Sequence, residues 1–145
     1  MLKEIKTNTH HFFVDENGHI QGEYKVYYYN GHLYIHSFYL NGKRHGEYKL
    51  YHDNGQLWEH TFFQNDKHHG EYKLYHDNGQ LLEHFFFQNG KHHGEYKHYC
   101  INGQLRYATF YYQDIDLKVD PDTLSEQDKA YIMISGRLPP RDQPC

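Results

Sequence analysis

The chain has 145 residues and a formal charge of −4, with 37% apolar and 18% aromatic residues. That length suits one domain of ordinary size, and without a basic surplus nucleic acid is not the expected partner. No run of 18 apolar residues occurs, so no segment reads as a membrane-spanning helix.

The first residues, Met1-Leu2-Lys3-Glu4-Ile5-Lys6, lack the apolar stretch of a secretory leader. Cys100 and Cys145 are too few for a disulfide framework, which points to a reducing, cytoplasmic compartment. Tyr, at 16 residues, outnumbers every aliphatic type. Large amphipathic rings suit a sheet wetted on both faces better than a closed apolar core.

From Asn17 onward the chain is punctuated by turns. Asn-Gly begins at Asn17, Asn30, Asn41, Asn54, Asn78, Asn89 and Asn102, and Asn65-Asp66 fills the vacant slot, so the spacing alternates 13 and 11. Asn-Gly between apolar runs is a strong hairpin marker, because a type I′ turn needs φ > 0 at both central residues. Eight such turns divide the chain into nine short strands. Gly-Glu-Tyr-Lys recurs from Gly22, Gly46, Gly70 and Gly94, a 24-residue repeat, with a half copy over residues 10–21. A period of that length means a quasi-one-dimensional array in which each unit touches its neighbours.

With a two-residue turn at Asn78-Gly79, His76 is expected to pair with Leu81, Leu74 with Glu83 and Tyr72 with Phe85. Period-two alternation then puts Tyr72, Leu74, Leu81, Phe85 and Phe87 on one face. Glu71, Lys73, Tyr75, Leu82, His84 and Phe86 fall on the other. Equivalent residues form ladders: Tyr24, Tyr48, Tyr72 and Tyr96 on the first face, and Lys25, Lys49, Lys73 and Lys97 with Phe38, Phe62, Phe86 and Phe110 on the second. Two tight turns per unit advance pairing by 22 residues rather than 24, which staggers successive units by two; a four-residue loop over residues 89–92 removes the stagger. Both remain open at this stage. The sheet is then roughly 30–35 Å along its strands and about 40 Å across.

The pattern Gly-Glu-Tyr-Lys-Leu-Tyr-His-Asp-Asn-Gly-Gln-Leu, followed by Phe-Phe-Gln-Asn-Gly-Lys-His-His-Gly, resembles the MORN repeat, in the variant of antitoxin-like bacterial proteins and giant viruses. The resemblance covers residues 10–112 and implies an all-β, single-layer antiparallel meander of stacked hairpins. It also implies protein contacts, dimerisation and, for some members, membrane association. Asp66 and Asp114 replace turn glycines, and Lys118 stands where the next unit's Gly is due, so the array is expected to stop there.

Residues 113–145 follow another grammar. Thr123-Leu124-Ser125-Glu126 after Pro121 reads as a capping box, so a helix is expected over residues 123–134, ended by Gly136 and Pro139-Pro140. Leu124, Tyr131, Ile132 and Ile134 would lie on the sheet, as an end cap or as a docking peptide.

Candidate chemistry is thin. Adjacent strand histidines such as His68-His69 and His92-His93 point to opposite faces, and ladder histidines sit about 10 Å apart, too far to share a zinc ion. Ser37, Ser125 and Ser135 occupy no nucleophile elbow, Cys100 reads as packed, and the glycines are isolated turn residues rather than a phosphate cradle. No catalytic residue, metal ligand or cofactor is therefore assigned, and no enzyme is expected. Protonating all fifteen histidines moves the formal charge from −4 to +11, so self-association is expected to weaken below about pH 6.

The expected function is a non-catalytic protein-interaction and assembly module, a homodimer in the cytoplasm or, for a viral source, a structural component of the virion. The alternatives are an antitoxin-like partner of a toxin and a peripheral membrane module, the latter disfavoured by the acidic balance. The expected interface is Tyr24, Tyr48, Tyr72, Tyr96, Phe63, Phe85, Phe87, Leu57 and Leu81. Open edges at residues 10–16 and 104–112 offer strand addition as a second route.

Overall fold

The computed structural model describes residues 1–139, so Pro140 and Cys145 lie outside the described residues. The strands are β1 (Lys3–Lys6), β2 (His10–Val14), β3 (Gly22–Tyr27), β4 (Leu33–Leu40), β5 (Lys43–Tyr51), β6 (Leu57–Gln64) and β7 (Lys67–His68). They continue as β8 (Gly70–Tyr75), β9 (Leu81–Gln88), β10 (Lys91–His92), β11 (Gly94–Tyr99), β12 (Leu105–Tyr112) and β13 (Ile115–Asp116). A 3-10 turn, Pro121–Thr123, leads into α1 (Glu126–Ser135). All the strands join one antiparallel sheet in chain order, with β7 set on β6 and β10 on β9. Each of the pairs β7/β8 and β10/β11 is a single strand broken by a bulge, so β2 to β12 amount to the nine expected strands. The all-β hairpin meander read from the repeat is what the chain forms, with one short C-terminal helix.

The turns are of two kinds, not one. At Asn41-Gly42, Asn65-Asp66, Asn89-Gly90 and Gln113-Asp114 both residues have positive φ, as a type I′ turn requires. At the slots of Asn17, Asn30, Asn54, Asn78 and Asn102 only the glycine does. There the Gly79 amide donates to the His76 carbonyl at 3.0 Å and the His76 amide to the Gln80 carbonyl at 2.8 Å, and the other four repeat this. That is a type I turn closed by a left-handed glycine bulge, a three-residue loop.

The longer loop corrects the local register. Leu74 faces Glu83 and Tyr72 faces Phe85, as expected, but Leu81 faces Tyr75 rather than His76. The asparagine retains a purpose at negative φ. The Asn78 side-chain oxygen accepts from the Gln80 amide at 2.9 Å, and its side-chain nitrogen donates to the Ile101 carbonyl of the next turn at 3.2 Å. Asn78→Asp keeps the first bond and loses the second, so a loss of about 0.5–1 kcal/mol is expected by urea titration, with Asn78→Ala costing more.

The stagger left open by the sequence is absent. Lys73 faces His84, and His84 faces Lys97, so one unit advances pairing by its full length. The device is not a four-residue loop. Gln88 still pairs with Lys91 across a two-residue turn, and the difference is absorbed at Gly94, where φ is +114° and the His93 amide donates to the Phe86 carbonyl at 2.9 Å. Such a backbone excludes side chains that cannot reach the left-handed region, which accounts for the glycine at this slot in every unit, Gly22, Gly46, Gly70 and Gly94. Lys118, at the next such slot, keeps the positive φ, at +53°.

Two edges differ from expectation. Residues 10–16 are not open, because β1 pairs with β2 from Lys3↔Val14 to Lys6↔His11. β1 is short and carries two lysines and a glutamate, the composition that discourages further strand addition. At the other end β13 pairs only with Tyr111 and Tyr112, leaving Leu105 and Tyr107 exposed.

The helix starts later than expected. Ser125 and Asp128 form the capping box, while Thr123 is spent in the preceding turn, its hydroxyl donating to the Asp120 carbonyl at 2.7 Å. Gly136 closes the helix in the left-handed conformation as read. Leu124 and Ile132 pack on Phe110 as a small core, whereas Ile134 is 86% exposed and Tyr131 is also exposed. The physical reason is the register: with the cap at Ser125, one face of a three-turn helix meets the sheet, and Ile134 falls opposite it.

Candidate interaction surfaces

The tyrosine face is a continuous layer of rings. Ser37, Thr61 and Thr109, in equivalent slots, are almost wholly buried, with Phe85 in the third of the four slots at 6% exposure. Rings close over these slots from both sides. Tyr24 and Tyr39 sit 5.2 Å apart, Tyr48 and Phe63 5.3 Å, Tyr72 and Phe85 4.4 Å, and Phe85 and Tyr96 5.3 Å. Aromatic pairs at such distances add about 0.5–1.5 kcal/mol each beyond area burial. Toward the type I′ turns a second file runs across the strands. The Arg44 guanidinium lies 4.1 Å over Phe63, Phe63 is 4.3 Å from His68, His68 is 4.7 Å from Phe87, and Phe87 is 4.7 Å from His92. Burial, and then the charges of Arg44 and His92, hold the His68 pKa below its ordinary value.

Within this face lie two acids absent from the sequence-level face assignment. Glu83 faces Leu74, and its carboxylate accepts from the Tyr96 hydroxyl at 2.8 Å. Glu59 stands in the same place one unit earlier, where burial pushes its pKa up. Burial also raises the Tyr72 pKa, with the Glu59 charge adding to it. The signal was available, since alternation from Phe85 already puts Glu83 on this side.

Of the nine predicted contact residues, two leave the tyrosine face, because the register shift by the longer loops pairs Leu57 with Tyr51 and Leu81 with Tyr75 of the opposite face. Phe63 and Phe85 are buried within the layer and shape it from beneath. Tyr24, Tyr48, Tyr72, Tyr96 and Phe87 are half-buried and form its outer rim, and Leu57 and Leu81 are half-buried at the strand starts by the longer loops.

The opposite face repeats a three-residue cluster. Glu23 is 2.9 Å from the His36 ring nitrogen and 3.4 Å from the Lys25 ammonium. Glu47 repeats this with His60 and Lys49, and Glu71 with His84 and Lys73. The hydrogen bond from His36 holds the Glu23 carboxyl below its ordinary range; burial opposes the same effect at Glu47 and Glu71 without cancelling it. In the fourth unit Ala108 replaces the histidine and α1 occupies the face. Lys129 pairs with Glu95, and Lys97 with Asp122 at 3.1 Å.

Cys100 is half-buried and unpaired in a disulfide, and no three His, Cys, Asp or Glu side chains gather as metal ligands among the described residues. No helix among the described residues is long and apolar enough to cross a membrane.

An open sheet built from stacked, nearly identical hairpins defines the class: a β-hairpin repeat protein. Within that class, residues 20–41, 44–65 and 69–89 match the family model of the MORN repeat variant. MORN repeats generally mediate protein or membrane interactions, and the family is typically non-enzymatic. No curated protein matches the chain.

Proposed function

We propose that this chain is a non-catalytic assembly module that self-associates through its tyrosine face. One observation carries the reading. The only helix among the described residues packs on the opposite face, against Phe110, so no second layer covers the rings of Tyr24, Tyr48, Tyr72 and Tyr96. A face of about 40 Å by about 30 Å offers roughly 1,200 Å², above the ~800 Å² each partner contributes to a stable complex. Half-buried tyrosines suit such a contact, since they bring large area at low entropic cost and a polar rim.

Light scattering during size exclusion is expected to give twice the chain mass at about 100 μM, an undemanding concentration for an interface of that size. Tyr48→Glu with Tyr72→Glu is expected to give a monomer that keeps its far-ultraviolet strand spectrum. A wild-type monomer at that concentration removes self-association from the reading.

A further inference from the structure

We infer that the face opposite the tyrosines binds an amphipathic α-helix from another protein, seated on the third repeat alongside α1. The inference rests on the chain being an interaction module and adds the partner's chemistry and its seat.

The chain carries its own template. In the fourth unit α1 covers Phe110 with Leu124 and Ile132, reaches Glu95 with Lys129, and Asp122 of its leading turn takes Lys97. The third unit offers the same set one period earlier: Phe86 for Phe110, Glu71 for Glu95, Lys73 for Lys97. There the set is uncovered. Glu71 is 38% exposed and Lys73 32%.

Between the two units runs a mainly apolar groove of about 450 Å³, floored by Gly70, Phe86 and Gly94 and walled by Lys129 and Met133 of α1. The bulge glycines make it, because no side chain rises from the strand at either position. Gly70 has φ of +85° and Gly94 of +114°, so other residues are strained there. Met133 is 41% exposed on the α1 side.

The spacing matches. Equivalent residues in neighbouring units lie two strands apart, about 9.6 Å, and packed helix axes lie 8–10 Å apart. A second helix laid on unit three therefore meets the flank of α1 at ordinary packing distance. His84, where unit four has Ala108, lies outside the groove with its ring 5.2 Å from Phe86 and 3.0 Å from Glu71. The occupant's basic residue therefore takes the Glu71 carboxylate in place of His84 and Lys73, as Lys129 takes Glu95. The occupant is thus a short helix with an aliphatic residue for Phe86, a basic one for Glu71 and an acidic one for Lys73.

The probe is a synthetic peptide of this chain's own residues 119–138, titrated into the isotope-labelled full chain and followed by amide shifts. Expected perturbations centre on Gly70, Glu71, Lys73, Phe86 and Met133. Glu71→Lys is expected to weaken binding at least tenfold, and the peptide carrying Lys129→Glu to recover it on that variant. Amide spectra of the variant alone establish that it folds, and Met133→Glu, on the α1 wall, gives an independent loss. Silence up to about 1 mM, where binding free energy is only ~4 kcal/mol, overturns the proposal. So do shifts confined to Phe110, Leu124 and Ile132, which report exchange with the chain's own cap, and shifts confined to the tyrosine face. None of these outcomes touches the light-scattering test of self-association.

Discussion

Ile132→Ala is expected to release α1 from the sheet while leaving the repeats folded. Ile132 is fully buried, and the core it forms with Phe110 and Leu124 is small. Truncating a buried isoleucine costs about 2–5 kcal/mol. What else holds the helix is weaker. The Lys129–Glu95 and Lys97–Asp122 pairs are partly exposed, and such pairs contribute about 0–1 kcal/mol each. A ten-residue helix is marginal in water by itself, so undocking amounts to melting. In an array where each unit holds only its neighbours, the loss stops there. Hydrogen exchange is the measurement. Amides of residues 126–135 lose protection in the variant, while those of β5, β6, β8 and β9 keep it. Equal loss across β5 to β9 would show that the cap and the array unfold together. Lys129→Ala supplies the contrast, with a shift smaller than that of Ile132→Ala.

How much of this was legible in the residues differs by level. Strand number, pairing of Tyr72 with Phe85, and the two ladders follow from turn spacing and period-two alternation, both strictly local rules. The turn types do not, because Asn-Gly serves equally as a pair with positive φ and as the last two residues of a type I turn closed by a glycine bulge. From Asn30 on, the two turn types alternate with the 11 and 13 spacings, the longer loop and the glycine bulge each adding a residue to the 13. Asn17 and Asn30 are both longer-loop turns, however, so spacing alone does not assign the type. Glycine after His-His likewise marked a bulge inside a strand, the reading an isolated strand glycine invites. β1 was illegible because Lys-Glu-Ile-Lys has strand character only as a charged edge. The helix start was ambiguous between Thr123 and Ser125, and a competing local cap decides it: the Asp120 side chain caps the turn that takes Thr123.

Lowering the pH from 7 to 5 is expected to destabilise the fold through His68 and His93, before the lowered carboxyls of Glu23, Glu47 and Glu71 titrate. Burial depresses both pKa values, aided at His68 by Arg44 and His92. The His93 Nδ1 also accepts from the Gln113 amide at 3.2 Å, which requires a free lone pair. A histidine depressed in the folded chain gives stability that is whole above its unfolded value, near 6.5, and is lost as the unfolded chain takes up a proton the folded one refuses. Two such groups give at most about 2.7 kcal/mol per pH unit. The lowered carboxyls of Glu23, Glu47 and Glu71 act in a separate window, contributing stability above about pH 4.5 and losing it below. His68→Phe preserves the ring file between Phe63 and Phe87 without a titratable nitrogen, and His93→Gln keeps an acceptor for Gln113. The double variant is therefore expected to show no fall of the urea midpoint from pH 7 to 5, any change being the rise that the raised Glu59 carboxyl gives on taking up its proton, and an unchanged fall below 4.5. Were the wild-type midpoint itself flat from 7 to 5, these rings would have to accept protons in place, and burial would not be what governs His68 and His93.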